Sequence, residues 1–112
     1  MPLPELTPEN FISTIKSSPI PVLVLFGAEW CAPCKRLKLI LDQAVPLLAG
    51  KASVRYVDCD ESYSLTKEED VRGLPTLVLY DKGNEVQRKI GAMSLKEVLS
   101  LVGHETIFPV RC

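Results

Sequence analysis

The sequence is poor in the residues that most functional classes depend on. It has one histidine, one tryptophan and an aromatic fraction of only 6%. It has no long apolar run: the longest, Ile20–Ala28 and Leu37–Leu41, fall far short of the ~18 residues that a membrane span needs. It also lacks net charge. Thirteen Lys or Arg against fourteen Asp or Glu leave −1, which argues against an electrostatically driven nucleic-acid binder or membrane-surface binder. Met1-Pro2-Leu3-Pro4-Glu5 offers no basic n-region and no small-residue cleavage site, so no signal peptide is expected. The expected setting is therefore cytoplasmic, where cysteines stay reduced unless redox is their function. No repeat, low-complexity tract or linker interrupts the chain. The four cysteines are too few and too unevenly spread for a disulfide scaffold.

The 112 residues, 46% of them apolar, suit one soluble domain with its own core. The expected domain is 1–102, with a patternless tail over 103–112. Pro2 and Pro4 limit residues 1–6 to a short edge strand at best. Thr7-Pro8-Glu9-Asn10 reads as a helix start with Thr7 as N-cap, and Phe11, Ile12 and Ile15 as its apolar face. The continuous run Val22–Phe26 suits a strand buried on both faces. A long helix is expected from about Pro33 to Leu48, with Leu37, Ile40, Leu41 and Ala44 turned inward, Pro46 loosening its last turns and Gly50 closing it. Ala52–Val57 is a second strand. Glu61–Asp70 is a short polar helix, with Glu68-Glu69-Asp70 as a solvated face. Thr76–Tyr80 and Glu85–Ile90 form a hairpin around Asp81-Lys82-Gly83-Asn84. Ser94-Leu95-Lys96-Glu97 is a capping box that opens a last helix to about Val102. The fold class is α/β: a mixed central sheet of four to five strands flanked by helices on both faces.

Trp30-Cys31-Ala32-Pro33-Cys34-Lys35 lies between the buried strand and the long helix. Two intervening residues let the sulfurs of Cys31 and Cys34 meet across the first helical turn as a reversible disulfide. Unpaired N–H groups and the positive end of the helix dipole favour a thiolate there. Cys31, at the mouth, is the expected nucleophile, and Cys34, one turn in, the resolving thiol. Pro33 restricts the turn. A zinc half-site would need two more ligands, which His104, Cys59 and Cys112 do not supply by spacing; an inert structural pair is the other bland reading. Cys59 reads either as a buried small hydrophobe or as a regulatory thiol. Cys112 reads as an incidental free thiol or as the link of an oxidised dimer of an otherwise monomeric protein. His104 reads as a surface residue.

The segment Phe26–Lys35 closely resembles the active-site segment of thioredoxins. Val71-Arg72-Gly73-Leu74-Pro75-Thr76 is similar to that family's cis-proline loop, and Gly91-Ala92 to its third substrate-facing loop. The resemblance spans roughly 6–102 and implies the thioredoxin fold. It further implies a protein dithiol–disulfide oxidoreductase that needs no bound cofactor beyond the Cys31–Cys34 disulfide. Its partners would be disulfide-containing proteins and a thioredoxin reductase-type flavoprotein as electron donor. Cys31 would attack a substrate disulfide and Cys34 would release the reduced substrate. Pro75 would be cis, with Leu74 offering backbone groups to a substrate strand. Trp30, Gly73, Leu74, Pro75, Thr76, Gly91 and Ala92 would bind substrate, and Trp30 would form an apolar wall or fill the core. Ala32, Pro33 and Lys35 would flank the thiols.

The chain departs from the family at several positions. Leu25 stands where thioredoxins usually carry a buried aspartate, a general base for the resolving thiol. Tyr56 falls where many relatives have its lysine partner. Gly27 replaces an aromatic, Ala32 a glycine, and Leu39 a helix-kinking proline. These losses keep open an alternative, a thioredoxin-like docking module in which redox chemistry is secondary.

Overall fold

The computed structural model describes residues 3–107. In chain order the elements are α1 (Phe11–Ser17), β1 (Val22–Gly27), α2 (Ala32–Leu47), β2 (Ser53–Asp58), α3 (Tyr63–Glu68), β3 (Thr76–Asp81), β4 (Asn84–Ile90) and α4 (Leu95–Ile107). The strands form one mixed sheet in the order β2-β1-β3-β4. β1 runs parallel to β2 and antiparallel to β3, and β3 runs antiparallel to β4.

The uninterrupted apolar run of β1 has the cause its composition suggested: the strand is paired on both edges and covered on both faces. Leu23 and Leu25 point to a core shared with Leu37, Leu41 and Ala44 of α2 and Val98 and Val102 of α4. Val22, Val24 and Phe26 point the other way, to Phe11 and Ile15 of α1 and Leu65 of α3. The period-2 alternation of a strand thus divides one apolar run between two helix layers.

Several boundaries differ from expectation for local reasons. The regular turns of α1 begin at Phe11, with Asn10 at the cap position. The Asn10 Oδ1 does not cap the helix, because it accepts the Thr7 N–H at 2.7 Å. The proline-spaced start contributes a single bridge, Glu5 to Tyr56. There Tyr56 N–H donates to Pro4 O at 2.9 Å and Leu6 N–H to Tyr56 O at 2.8 Å. Pro46 is carried inside α2, one residue from its end. The Leu48 N–H that follows is shared between Ala44 O and Val45 O at 2.9 and 3.2 Å, a tightened last turn. Gly50 closes it at φ +81°.

The hairpin turn has Lys82 at φ +52° and Gly83 at φ +90°. Positive φ at both central residues is the two-residue turn whose twist suits antiparallel strands. The capping box forms in full: Ser94 N–H donates to Glu97 Oε1 at 2.9 Å, and Glu97 N–H to Ser94 Oγ at 3.1 Å. α4 then passes through Gly103 and ends at Ile107 rather than near Val102. A glycine costs a helix only about 1 kcal/mol relative to alanine, and Val98 and Val102 anchor the helix on the core. The Glu68–Asp70 stretch is not simply solvated. Tyr80 donates its hydroxyl to Glu69 Oε1 at 2.7 Å, and Arg88 Nη2 donates to Glu69 O at 2.8 Å.

Candidate active site

β1 delivers the chain to the site at its C-terminal end, and α2 starts there. Cys31 is the N-cap of α2 in extended conformation, and its sulfur accepts the Cys34 N–H at 3.3 Å. Pro33 occupies the first turn of the helix, where its missing N–H leaves no orphan donor. The sulfurs of Cys31 and Cys34 are joined as a disulfide, with Cα atoms 5.2 Å apart. Both are enclosed: Cys31 is 5% and Cys34 1% exposed. Cys31 is the slightly more exposed of the two, but it is far less open than its place at the mouth implied. Ala28 and Leu74 pack against the pair.

The Leu74–Pro75 peptide bond is cis, as the resemblance implied. Pro75 is buried. Thr76 Oγ1 donates back to Gly73 O at 2.6 Å, fixing the loop. Gly91 N–H donates to Pro75 O at 2.8 Å, which ties the third loop to the cis-proline loop. Gly91 has φ +100°, a conformation that favours glycine. Ala32, Lys35 and Ala92 lie at the surface; Lys35 N–H closes the first helical bond to Cys31 O at 3.1 Å.

Trp30 is 70% exposed, so it is not core filling. Its Nε1–H donates to Asp60 Oδ2 at 2.9 Å, which fixes an otherwise mobile indole at the rim of the site. Asp60 is a site residue that the sequence reading missed. Its partner lies thirty positions away, and only the pairing of β1 with β2 brings the two loops together.

Cys59, just past β2, is a buried free thiol packed among Val57, Leu65 and Phe26. Burial pushes its pKa up, against a hydrogen bond with Thr66 that lowers it. Cys112 and any dimer it would link lie outside the described residues, as does the side chain of His104.

Three positions at which the resemblance implies other residues, Leu25, Gly27 and Tyr56, lie on neighbouring parts of β1 and β2. Leu25 is fully buried and lies opposite Tyr56 in the β1–β2 register. A Cβ placed on Gly27 would sit 3.2 Å from Cys34 Sγ and 3.3 Å from Tyr56 Cε1. The tyrosine ring edge and Cys34 Sγ therefore both border the space that a side chain at 27 would fill. The space beside Gly27 is bordered by Tyr56 of the neighbouring strand. Leu39, at the expected kink position, is exposed on an unbroken α2.

A bridged CxxC at the start of a helix, beside a cis-proline loop on a four-stranded mixed sheet, defines a thiol–disulfide oxidoreductase of thioredoxin fold. Family comparison agrees: the Thioredoxin family model matches residues 2–103, and the chain belongs to the thioredoxin family. It is 35% identical to the thioredoxin of Rickettsia felis over 97 residues, covering 87% of this chain and 92% of that protein. It is 34% identical to that of Pseudomonas aeruginosa, covering 87% and 90%. Among solved structures, chloroplastic thioredoxin z superposes with a TM-score of 0.83 at 27% identity, covering 93% of this chain and 94% of that one. The protein is thus a dithiol–disulfide oxidoreductase. Among the described residues, no helix is long and apolar enough to cross a membrane.

Proposed function

We propose that this chain reduces disulfides in protein substrates, with Cys31 as nucleophile and Cys34 as resolving thiol. The Cys31 thiolate attacks one substrate sulfur, forming a mixed disulfide and releasing the other sulfur as a thiolate. Cys34 then loses its proton and attacks Cys31 Sγ. The Cys31–Cys34 bond forms, the Cys31–substrate bond breaks, and the electron pair leaves on the substrate sulfur, which takes a proton from water. Two electrons pass from the enzyme to the substrate. The observation that carries this reading is the sulfur of Cys31 at the N-cap of a sixteen-residue helix, accepting the Cys34 N–H. Developing negative charge on that sulfur meets a donor and the helix dipole.

Trp30, Gly73, Leu74, Pro75, Thr76, Gly91 and Ala92 would form the substrate surface, small, apolar and suited to backbone pairing. No cofactor is needed beyond the cysteine pair. A flavoprotein reductase of the thioredoxin reductase type would return the pair to the dithiol form, in a cytoplasmic setting and with the protein as a monomer. Reduction of insulin by the protein with dithiothreitol tests the reading. Activity lost in Cys31→Ser supports it. A partner interaction that survives Cys31→Ser, with wild-type insulin reduction at background, favours the docking module instead. A Cys31–Cys34 potential near about −270 mV marks a reductant, and one near about −120 mV an oxidant.

A further inference from the structure

Resolution requires a thiolate at Cys34, a group 1% exposed and packed with the apolar Ala28 and Leu74. A thiolate formed in such surroundings needs a compensating charge. One candidate is on α2 itself. Lys38 follows Cys34 by four residues, so the two share one helix face a turn apart. Its Nζ stands over the Tyr56 ring, 4.1 Å from the centroid, and a side chain at 27 would meet both the edge of that ring and Cys34 Sγ, at 3.3 and 3.2 Å from its Cβ. A lysine on a free surface wanders through many rotamers. This one rests its ammonium on an aromatic face that is itself held by the core at 4% exposure.

We propose that Lys38 is a positioning residue for the resolving step: its ammonium, held on the Tyr56 ring a turn below Cys34, is the counter-charge for the Cys34 thiolate. The inference rests on Cys34 being the resolving thiol. The charged groups around the cluster are of both signs. Lys35 lies on the first turn of α2, and Glu29 in the loop before it. Glu5 and Asp58 flank Tyr56 at the sheet edge, and together with Glu29 they add to the burial that raises the tyrosine's pKa. These acids oppose a second negative charge, and in the proposal Lys38 is the cation set against them on the helix side. Tyr56 keeps its proton at neutral pH and serves as a platform, not as a base.

The test uses the full chain with Cys112→Ser, mixed with a limiting aryl disulfide that releases a coloured thiolate. The first release reports attack by Cys31, and the second reports resolution by Cys34. In Lys38→Met the second phase should slow about tenfold at neutral pH, its pH midpoint rising by about one unit, while the first phase is unchanged. Lys38→Arg should restore most of the rate. Thiolate absorbance in a Cys31→Ser background should show the same upward move of Cys34 on adding Lys38→Met. An unchanged midpoint in Lys38→Met, an equal slowing of both phases, or an equal loss in Lys38→Arg overturns the proposal. Failure of the underlying reading looks different: insulin reduction then persists in Cys31→Ser.

Discussion

Leu25→Asp tests what the apolar floor of the site does. Leu25 is fully buried among Leu37, Leu41 and Leu77, so truncating it would cost about 2–5 kcal/mol. Aspartate refills part of that space but adds a carboxyl in a dry site, where burial favours the neutral form and raises its pKa. Below the unfolded-state value of about 3.9 both states are protonated, and only the apolar loss is felt. As pH rises past that value the unfolded chain ionises first, so stability falls until the folded carboxyl ionises as well. A rise of about 3 units corresponds to about 4 kcal/mol of further loss at neutral pH. That is a large share of the roughly 5–15 kcal/mol a domain possesses. Urea unfolding of wild type and variant at pH 4 and pH 7.5 reads the difference directly. The variant should be about 4 kcal/mol worse at the higher pH, yet the folded fraction should resolve the mixed disulfide faster, because a carboxylate near Cys34 can take its proton. A stability loss that is the same at both pH values, with resolution unchanged across the pH range, would refute the reasoning.

Other perturbations follow from single contacts. Tyr80→Phe removes a hydroxyl donated to Glu69 and should cost about 1.5–3 kcal/mol by urea unfolding. Burial raises the Tyr80 pKa, so this contribution is fully present below the unfolded value of about 10 and is lost as pH rises beyond it. Cys59 should resist alkylation in the native protein and react only on unfolding, because burial holds it as the thiol; rapid labelling at neutral pH without denaturant would contradict this. Gly27→Ala puts a methyl within 3.2 Å of a bridged sulfur and should destabilise the oxidised form by about 1–3 kcal/mol, which thermal melts of oxidised and reduced protein would separate. Asp60→Ala frees the Trp30 indole, and the tryptophan emission should shift and broaden while Tm changes little.

Most of the architecture was legible because it depends on local pattern. The unbroken run of β1 announced a strand covered on both faces. Ser94 and Glu97 announced a helix start, and Lys82-Gly83 a turn that needs positive φ. The cysteine spacing, the Leu74–Pro75 step and Gly91 carried the site. What was not legible is long-range. Trp30 and Asp60 meet only through the β1–β2 register. Glu69, in an acidic stretch that reads as solvated, is claimed by Tyr80 from β3. The exposure of Cys31 was overestimated because Leu74, forty-odd positions downstream, closes over it.

In sequence, Leu25 and Tyr56 read as the two halves of one missing pair, and Gly27 as a separate loss. The register makes them one structural change. Leu25 and Gly27 fall on the same side of β1, and Tyr56 pairs opposite Leu25 with its ring edge close to Gly27. An aspartate at 25 needs a polar partner, and a lysine at 56 would supply one; with leucine at 25, a buried lysine there would be an uncompensated charge. A tyrosine satisfies the apolar floor and fills the volume of the aromatic missing at 27, while a glycine at 27 is what leaves room for its ring. Restoring one of the three alone should therefore be worse than restoring none. Leu25→Asp strands a carboxylate, and an aromatic at 27 collides with Cys34 and Tyr56. Lysine at 56 with leucine at 25 forfeits the ring on which Lys38 rests. Such coupling is measurable as a non-additive double-mutant cycle. Leu25→Asp combined with Tyr56→Lys should recover at least about 1 kcal/mol of the summed single losses, and strict additivity would show the positions to be independent.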